Sequence, residues 1–307
     1  CCFETIICYF WGVLNRCYWG LYQRCLQQVA NGKPALKKPL LLLLVISKFE
    51  LGEFMENRIS FREIEKELTE LIKNYGGRPS SSDVKANHPF QYLNSSSFWN
   101  LNLPKGVKMT HSRDLPKSVL RSTETYATLD EELYKLLKTS RKTRAILSRF
   151  ILNKWWTQTI QEELIKVLNL PINIFSNELK ITRNRNFTES VLANFRYRCA
   201  FCGFAAFFNN NVFGLDGAHI RWFSYDGPDT VDNGLALCKF HHWAFDRGVL
   251  SVHPETLEIL VSSKFVGQDD NSIALIEGLK GRKLLKYKDI RPKKTYLEWH
   301  NDSIFID

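Results

Sequence analysis

Cys199-Ala-Phe-Cys202, then Leu215-Asp216-Gly-Ala-His219-Ile, then Asp232-Asn233-Gly-Leu-Ala-Leu-Cys238-Lys-Phe-His241-His242, is the stretch that decides the fold of the C-terminal half. Cys199 and Cys202 with Cys238 and His241 make a C-x2-C pair, a long insert and a C-x2-H pair. That is the spacing of a closed tetrahedral zinc site, so a structural Zn2+ is expected there. The x2 spacing selects His241 over His242 as the fourth ligand, although two adjacent histidines can exchange roles. His219, Asn233 and His242 are interleaved with the zinc ligands and are left over for chemistry.

The flanking pattern puts these residues on two strands and a helix. Val212 to Phe223 reads as one strand broken by Gly214 and Gly217, Ser224 to Asp229 as a loop, and Gly234 to Leu237 as a short second strand. A helix is expected to open near Cys238 and run to Gly248, which suits a C-terminal cap. In the first strand Asp216 and Ala218 share one face while His219 points to the other. A phosphodiester repels hydroxide, so its hydrolysis near neutral pH needs a general base and a divalent ion at the leaving oxygen. His219 is the expected base and Asn233 its orienting partner. His242, with Asp216, is expected to hold a catalytic divalent cation such as Mg2+ or Mn2+. This is the layout of a ββα-metal, or HNH, nuclease. A zinc module that binds DNA without cutting it stays open as an alternative, but it has no use for Asp216, His219 and Asn233 together.

From Arg196 to Val252, the runs Arg-Tyr-Arg-Cys-Ala-Phe-Cys-Gly, Leu-Asp-Gly-Ala-His-Ile-Arg-Trp, Gly-Pro-Asp, Asn-Gly-Leu-Ala-Leu-Cys and His-His-Trp-Ala-Phe-Asp-Arg-Gly resemble those of HNH restriction endonucleases with an N-terminal sulfur-binding domain. The likeness continues at Ala35-Leu-Lys37-Lys38-Pro39 before a run of leucines, at His88-Pro89-Phe90 and at Phe98-Trp99-Asn-Leu. It resumes in the tail from Arg291-Pro292 to Tyr296-Leu-Glu-Trp299-His300. The resemblance implies a modification-dependent restriction endonuclease that binds phosphorothioated double-stranded DNA and hydrolyses its phosphodiester bonds. An HNH nuclease reading another mark or unmodified DNA is the alternative. DNA contacts are expected from Lys37, Lys38, His88, Pro89 and Arg221. The lysine pair stands just before a helix, where backbone amides also favour phosphate. His88-Pro89 offers an apolar ring to sulfur, which is less strongly hydrated than a phosphate oxygen; an ordinary turn before a strand is the plainer reading. Three positions depart from the family's pattern. Asp216 stands where the family usually has Glu, Ala218 removes the ligand many HNH proteins place before the base histidine, and His88 replaces a Tyr.

Composition agrees with an α+β protein of two domains. The 307 residues, 44% hydrophobic and 13% aromatic, can fill two ordinary cores. An α-rich DNA-reader domain with a small β-hairpin is expected over 31–170 and a linker over 171–186. A zinc-stabilised ββα-metal nuclease domain is expected over 187–307, and a partly helical extension over 1–30. The net charge of +10 is uneven: residues 1–186 hold 28 Lys and Arg against 17 Asp and Glu, residues 187–307 hold 14 against 15. The first half is therefore expected to do most of the holding of DNA.

Patterning places a buried helix start over Leu40–Ile46 after Pro39, too short to span a bilayer, and an amphipathic helix over Ile59–Tyr75. A β-hairpin is expected over Phe90–Val107 with its turn at Asn94–Ser97, and helices over Leu129–Leu137, Thr143–Trp156 and Thr159–Leu168. The basic cluster Lys138 to Arg144 reads as a solvated helix junction before it reads as a phosphate contact. Five of the eight cysteines, Cys1, Cys2, Cys8, Cys17 and Cys25, crowd the first 25 residues. An odd set at one end is no disulfide framework, which implies a reducing, cytoplasmic setting and no membrane. Nothing in the sequence sets the oligomeric state, and a homodimer is held open.

Overall fold

The computed structural model describes residues 35–77, 84–109, 114–171 and 185–307. The expected partly helical extension over 1–30, with its cysteines, lies outside the described residues, as does most of the expected linker. The chain divides into two compact units, Cys1–Ile151 with Ile165–Ile174, and Leu152–Leu164 with Phe175–Asp307. Among the described residues no helix is long and apolar enough to cross a membrane.

In the first unit, α1 (Lys37–Glu50) is buried on every side from Lys38 to Phe49, as its unbroken apolar run requires of a helix surrounded by protein. Pro39 lies in its first turn, where a missing N–H costs nothing. The amphipathic α2 (Phe61–Tyr75) buries Phe61, Ile64, Leu68, Leu71 and Ile72, the stripe its periodicity indicates. The hairpin expected over Phe90–Val107 does not form. Helix α3 (Asn87–Tyr92) and a 3-10 turn at Leu93–Ser95 occupy its first half. Strand β1 (Trp99–Asn102) then pairs antiparallel with β2 (Tyr126–Leu129), beyond the short helix α4 (Lys117–Leu120), with Trp99 opposite Leu129. Asn94-Ser-Ser-Ser97 lacks the glycine that a tight hairpin turn favours. Instead, the Asn94 side chain accepts from Leu101 N at 2.7 Å, and the Trp99 indole donates to the Phe90 carbonyl at 3.0 Å. Helices α5 (Glu131–Thr139), α6 (Arg141–Trp155) and α7 (Gln158–Val167) fall where patterning puts them, the stretch Leu152–Leu164 grouping with the second unit. The basic cluster is a helix junction: Arg141 and Arg144 each reach Glu50 at 2.7 Å.

The second unit is built around α8 (Arg185–Asn194). After a small hairpin of β3 (Phe207–Phe208) and β4 (Asn211–Val212) comes the central pair, β5 (Leu215–His219) with β6 (Gly234–Cys238). The single strand expected from Val212 to Phe223 is thus two strands with different partners, divided at Gly214. Helix α8 lies hard against the central pair. A Cβ at Gly217 would stand 2.9 Å from the Thr188 backbone, and one at Gly234 would stand 2.3 Å from Val191. These two glycines admit the helix, and the helix brings Phe187 to the end of β5. Helix α9 (Lys239–Asp246) follows β6 directly, with Cys238 as its N-cap. Gly248, at φ +71, takes the left-handed C-terminal position expected of it.

Strands β7 (Leu250–Val252) and β8 (Ile259–Val261), helix α10 (Asp270–Leu275) and helix α11 (Lys294–Ser303) complete the unit. The tail of α11 braces α9: His300, fully buried, stacks on Phe245 with ring centroids 3.7 Å apart, and its Nε2 lies 3.2 Å from the Phe245 carbonyl. Burial pushes its imidazole down to about 3, so it sits in the core as a neutral ring.

Candidate active site

The four residues of the C-x2-C and C-x2-H pairs converge. The ligand atoms of Cys199, Cys202, Cys238 and His241 all lie within 4.8 Å of one another. Sγ of Cys199 is 3.5 Å, and Sγ of Cys238 3.2 Å, from Nδ1 of His241. Ligand pairs on a tetrahedral zinc stand about 3.5–3.8 Å apart, so the cluster fits that ion with little movement. Nε2 of His241 lies 2.9 Å from the Leu275 carbonyl, which only accepts; the proton is therefore on Nε2, and the Nδ1 lone pair faces the sulfurs. Hydrogen bonds from Cys202 and Cys238 outweigh burial and hold the Cys199 thiol well below its ordinary range. The cluster joins the knuckle at Cys199 and Cys202 to the β6–α9 junction, which fixes the strand and helix that carry the remaining residues.

Those remaining residues form two groups. On β5, His219 stacks on Phe187 with ring centroids 4.0 Å apart, and its Nε2 lies 2.7 Å from Asp229 Oδ1. A carboxylate only accepts, so Nε2 carries the proton and Nδ1 is the basic nitrogen of the ring. Phe187 and Asp229 also line a pocket of about 380 Å3, together with Asn186, Ser190, Val231 and Ile290. In the second group, Asp216 Oδ2 lies 3.2 Å from Nδ1 of His242 and 2.6 Å from Nζ of Lys239. Burial raises the Asp216 pKa, but the bonds from His242 and Lys239 prevail and hold it at about 2, so the carboxylate is charged. Cis ligands on an octahedral Mg2+ stand about 3 Å apart, which the Asp216 to His242 separation matches. Behind His242, Asp246 Oδ2 is 3.4 Å from Nε2; its other oxygen, Oδ1, is buried with no hydrogen-bond partner.

Asn233 is fully buried, and its side chain is spent on the loop that follows β5. Its Oδ1 accepts from Arg221 N at 2.9 Å, and its Nδ2 donates to the carbonyls of Arg221 and Pro228 at 3.0 and 2.9 Å. Where direct orientation of the imidazole by Asn233 is expected, the structure shows an indirect route. Asn233 clamps the loop from Arg221 to Pro228, and the next residue, Asp229, bonds the histidine. Arg221 itself donates from Nε to the Tyr225 carbonyl at 2.6 Å, inside the same loop. Sequence reading missed Asp229, Asp246, Lys239 and Phe187. Asp229 stands in the quoted Gly-Pro-Asp run and Asp246 one turn after His242; those positions are the only signals that single them out.

In the first unit the expected DNA contacts are held in the fold. Lys37 and Lys38 lie inside the first turn of α1 instead of ahead of it; Lys37 Nζ donates to the Val84 carbonyl at 2.8 Å, and Lys38 is buried. Pro89 is buried within α3, whereas His88 reaches the surface and bonds Asp114 through Nε2 at 2.7 Å. Gln91 and Tyr92 donate to the other oxygen of Asp114 at 2.8 and 2.7 Å. The Tyr92 and His88 bonds hold the Asp114 carboxyl below its ordinary range.

A Cys/His cluster clamped to a strand pair and helix, with a histidine and carboxylate set on the strand, defines a ββα-metal module, here in a chain that also contains a helical unit with a two-stranded sheet. Residues 199–253 match the HNH endonuclease family, and residues 24–172 match the family of ScoMcrA-like DNA sulfur-binding domains. The chain therefore carries a ScoMcrA-like DNA sulfur-binding domain followed by an HNH endonuclease domain. Among curated proteins none matches it. Solved structures with partial likeness include a modification-dependent TagI restriction endonuclease, 24% identical over 39% of this chain and 38% of that one, with a TM-score of 0.32. Another is the sulfur-binding domain of ScoMcrA complexed with phosphorothioated DNA, 19% identical over 44% of this chain and 87% of that one, with a TM-score of 0.35. The chain thus spans well under two thirds of the length of the TagI enzyme.

Proposed function

We propose that this protein is a modification-dependent restriction endonuclease that binds phosphorothioated double-stranded DNA and hydrolyses its phosphodiester bonds at the HNH site. The observation that carries the reading is the presence of both family matches in one chain, the sulfur-binding domain before the nuclease. The reader is assigned to residues 31–170, the linker to 171–186 and the nuclease to 187–307. Zn2+ is assigned to Cys199, Cys202, Cys238 and His241 as a structural ion, and Mg2+ or Mn2+ to Asp216 and His242.

In the nuclease, Nδ1 of His219 takes the proton from the attacking water while Asp229 stabilises the charge that the ring acquires. Phe187 keeps the ring in plane, and Asn233 keeps the Asp229 loop in place. A divalent cation at Asp216 and His242 supplies charge stabilisation for the leaving oxygen. Lys37, Lys38, His88, Pro89 and Arg221 remain the proposed DNA contacts. The burial of Pro89 and the His88 bond to Asp114 favour, as a second reading, a reader for another mark; a shift of this helix on binding separates the two.

One HNH site cuts one strand, so a double-strand break takes two chains or two sequential cuts. A homodimer on DNA is the assembly proposed, checked by sedimentation with and without duplex. The cysteines assigned to zinc must stay reduced to bind it, which suits a reducing cytoplasm. The deciding experiment is cleavage of a single plasmid prepared with and without phosphorothioate linkages, in Mg2+ or Mn2+. Cleavage of the modified form alone supports the proposal; equal cleavage of both moves the assignment to an HNH nuclease reading plain DNA.

A further inference from the structure

The least explained group in the second unit is the carboxylate of Asp246. Its side chain has no solvent exposure, and a buried carboxylate is costly unless paired and fully hydrogen-bonded. Here Oδ2 accepts from the Thr159 hydroxyl and stands 3.4 Å from Nε2 of His242, while Oδ1 is buried with no hydrogen-bond partner among the described residues. On the far side of the same imidazole, 3.2 Å from Nδ1, is Asp216, so the ring lies between two carboxylates. As the chain stands, the recorded hydrogen bond of the ring is from Nδ1 to Asp216. A cation taken between Asp216 and Nδ1 would displace that proton and leave Nε2, 3.4 Å from Asp246 Oδ2, as the ring's N–H, so the ion's charge would be felt through the ring by the buried acid.

We infer that Asp246 is a positioning residue for the nuclease cation: held by Thr159, it fixes the proton of His242 on Nε2 and so presents Nδ1, beside Asp216, to the ion. This rests on the assignment of Asp216 and His242 as cation ligands. Position i+4 on α9 is what makes the contact, since residues 242 and 246 share one face of the helix. Thr159 comes from α7, in the segment Leu152–Leu164 that groups with this unit. The same helix grips α9 a second time, where Glu163 accepts from the Trp243 indole and lies 3.9 Å from Arg247. The orientation of His242 therefore depends on α7, a helix outside the HNH motif.

The test uses the full-length protein and Mn2+ as the probe. Asp246→Asn keeps the shape of the side chain but removes its charge, and its amide can donate to Nε2, which turns the ring's proton to Nδ1. Mn2+ affinity, read by titration calorimetry or by the EPR signal of free ion, should fall by about 10- to 100-fold, the usual effect of losing a carboxylate behind a ligating histidine. The rise in melting temperature that Mn2+ gives the parent should shrink in the variant, and the zinc content should stay the same. In Mg2+-loaded parent, 15N NMR of His242 should show the proton on Nε2, and in Asp246→Asn a shift toward Nδ1. Should Asp246→Asn fold poorly, Thr159→Val, which removes only the buttressing hydroxyl, should weaken Mn2+ in the same direction by a smaller factor. An unchanged Mn2+ affinity with an unchanged His242 tautomer overturns the positioning role. Its failure is distinguishable from failure of the parent assignment: His242→Ala then still abolishes the Mn2+ site, whereas persistence of that site in His242→Ala overturns both.

Discussion

At the scale of single residues, the proposed base and the proposed cation pair are separated, and the separation follows from strand geometry. His219 and Asp216 lie three apart on β5, so their side chains leave opposite faces, one toward Phe187 and Asp229, the other toward α9. His219→Ala removes the proton acceptor and nothing that holds DNA or metal. It should therefore lower the cleavage rate by at least about 100-fold, the ordinary scale of general-base catalysis, with duplex affinity nearly intact. Asp229→Asn, whose amide can donate to the imidazole and reverse its tautomer, should lower the rate less while shifting its dependence on pH. Single-turnover cleavage under matched binding measures both, and parental rates in His219→Ala would place the base elsewhere. The sequence marks His219 and Asn233 by their position between the Cys/His pairs, but not that the Asn233 side chain is spent on the Arg221–Pro228 loop. The aspartate that bonds the histidine was not legible, because a carboxylate in a loop has no periodicity to mark what it faces.

At the scale of elements, the Cys/His cluster is the joint on which the site depends. The knuckle, β6 and α9 meet there, and α9 begins at its third ligand, so the helix carrying His242 is anchored by its own N-cap. Cys202 lies at the exposed side of the cluster. Cys202→Ser should therefore release the metal without disturbing the core directly, and a closed zinc site contributes folding energy to a small unit. Elemental analysis should find zinc in the parent and little in the variant, and the variant should melt lower and lose cleavage even in excess Mg2+. A parent without zinc, or a variant that melts like it, would contradict the assignment. In each unit the elements were legible wherever a short-range pattern exists: the stripe of α2, the start and stop of α9, the spacing of the Cys/His pairs. Pairing across long loops was not. Trp99 and Leu129 are thirty residues apart, so the misplaced hairpin over Phe90–Val107 came from reading a local turn where a non-local partner decides. Likewise Gly217 reads as a strand breaker until α8 is seen resting on it.

At the scale of the whole molecule, the uneven charge makes a prediction about salt. Residues 1–186 carry an excess of eleven positive charges, and residues 187–307 a deficit of one. Binding to unmodified duplex should weaken steeply as salt rises, with a slope of about −0.9 per phosphate neutralised. Replacing the exposed Lys105 and Lys108 of the first half by Ala should lower affinity more than the same change at the exposed Lys264 and Lys280 of the second. Phosphorothioate keeps the phosphate's single negative charge, so it releases the same counterions; sulfur differs from oxygen in its weaker hydration, a cost met on burial and not by salt. The plots of log affinity against log salt for modified and unmodified duplex should therefore be parallel lines, offset by a constant sulfur preference. Fluorescence anisotropy at several salt concentrations measures both. Coincident lines would show that the basic half holds DNA without reading sulfur, and lines that converge at high salt would show that the preference is itself electrostatic.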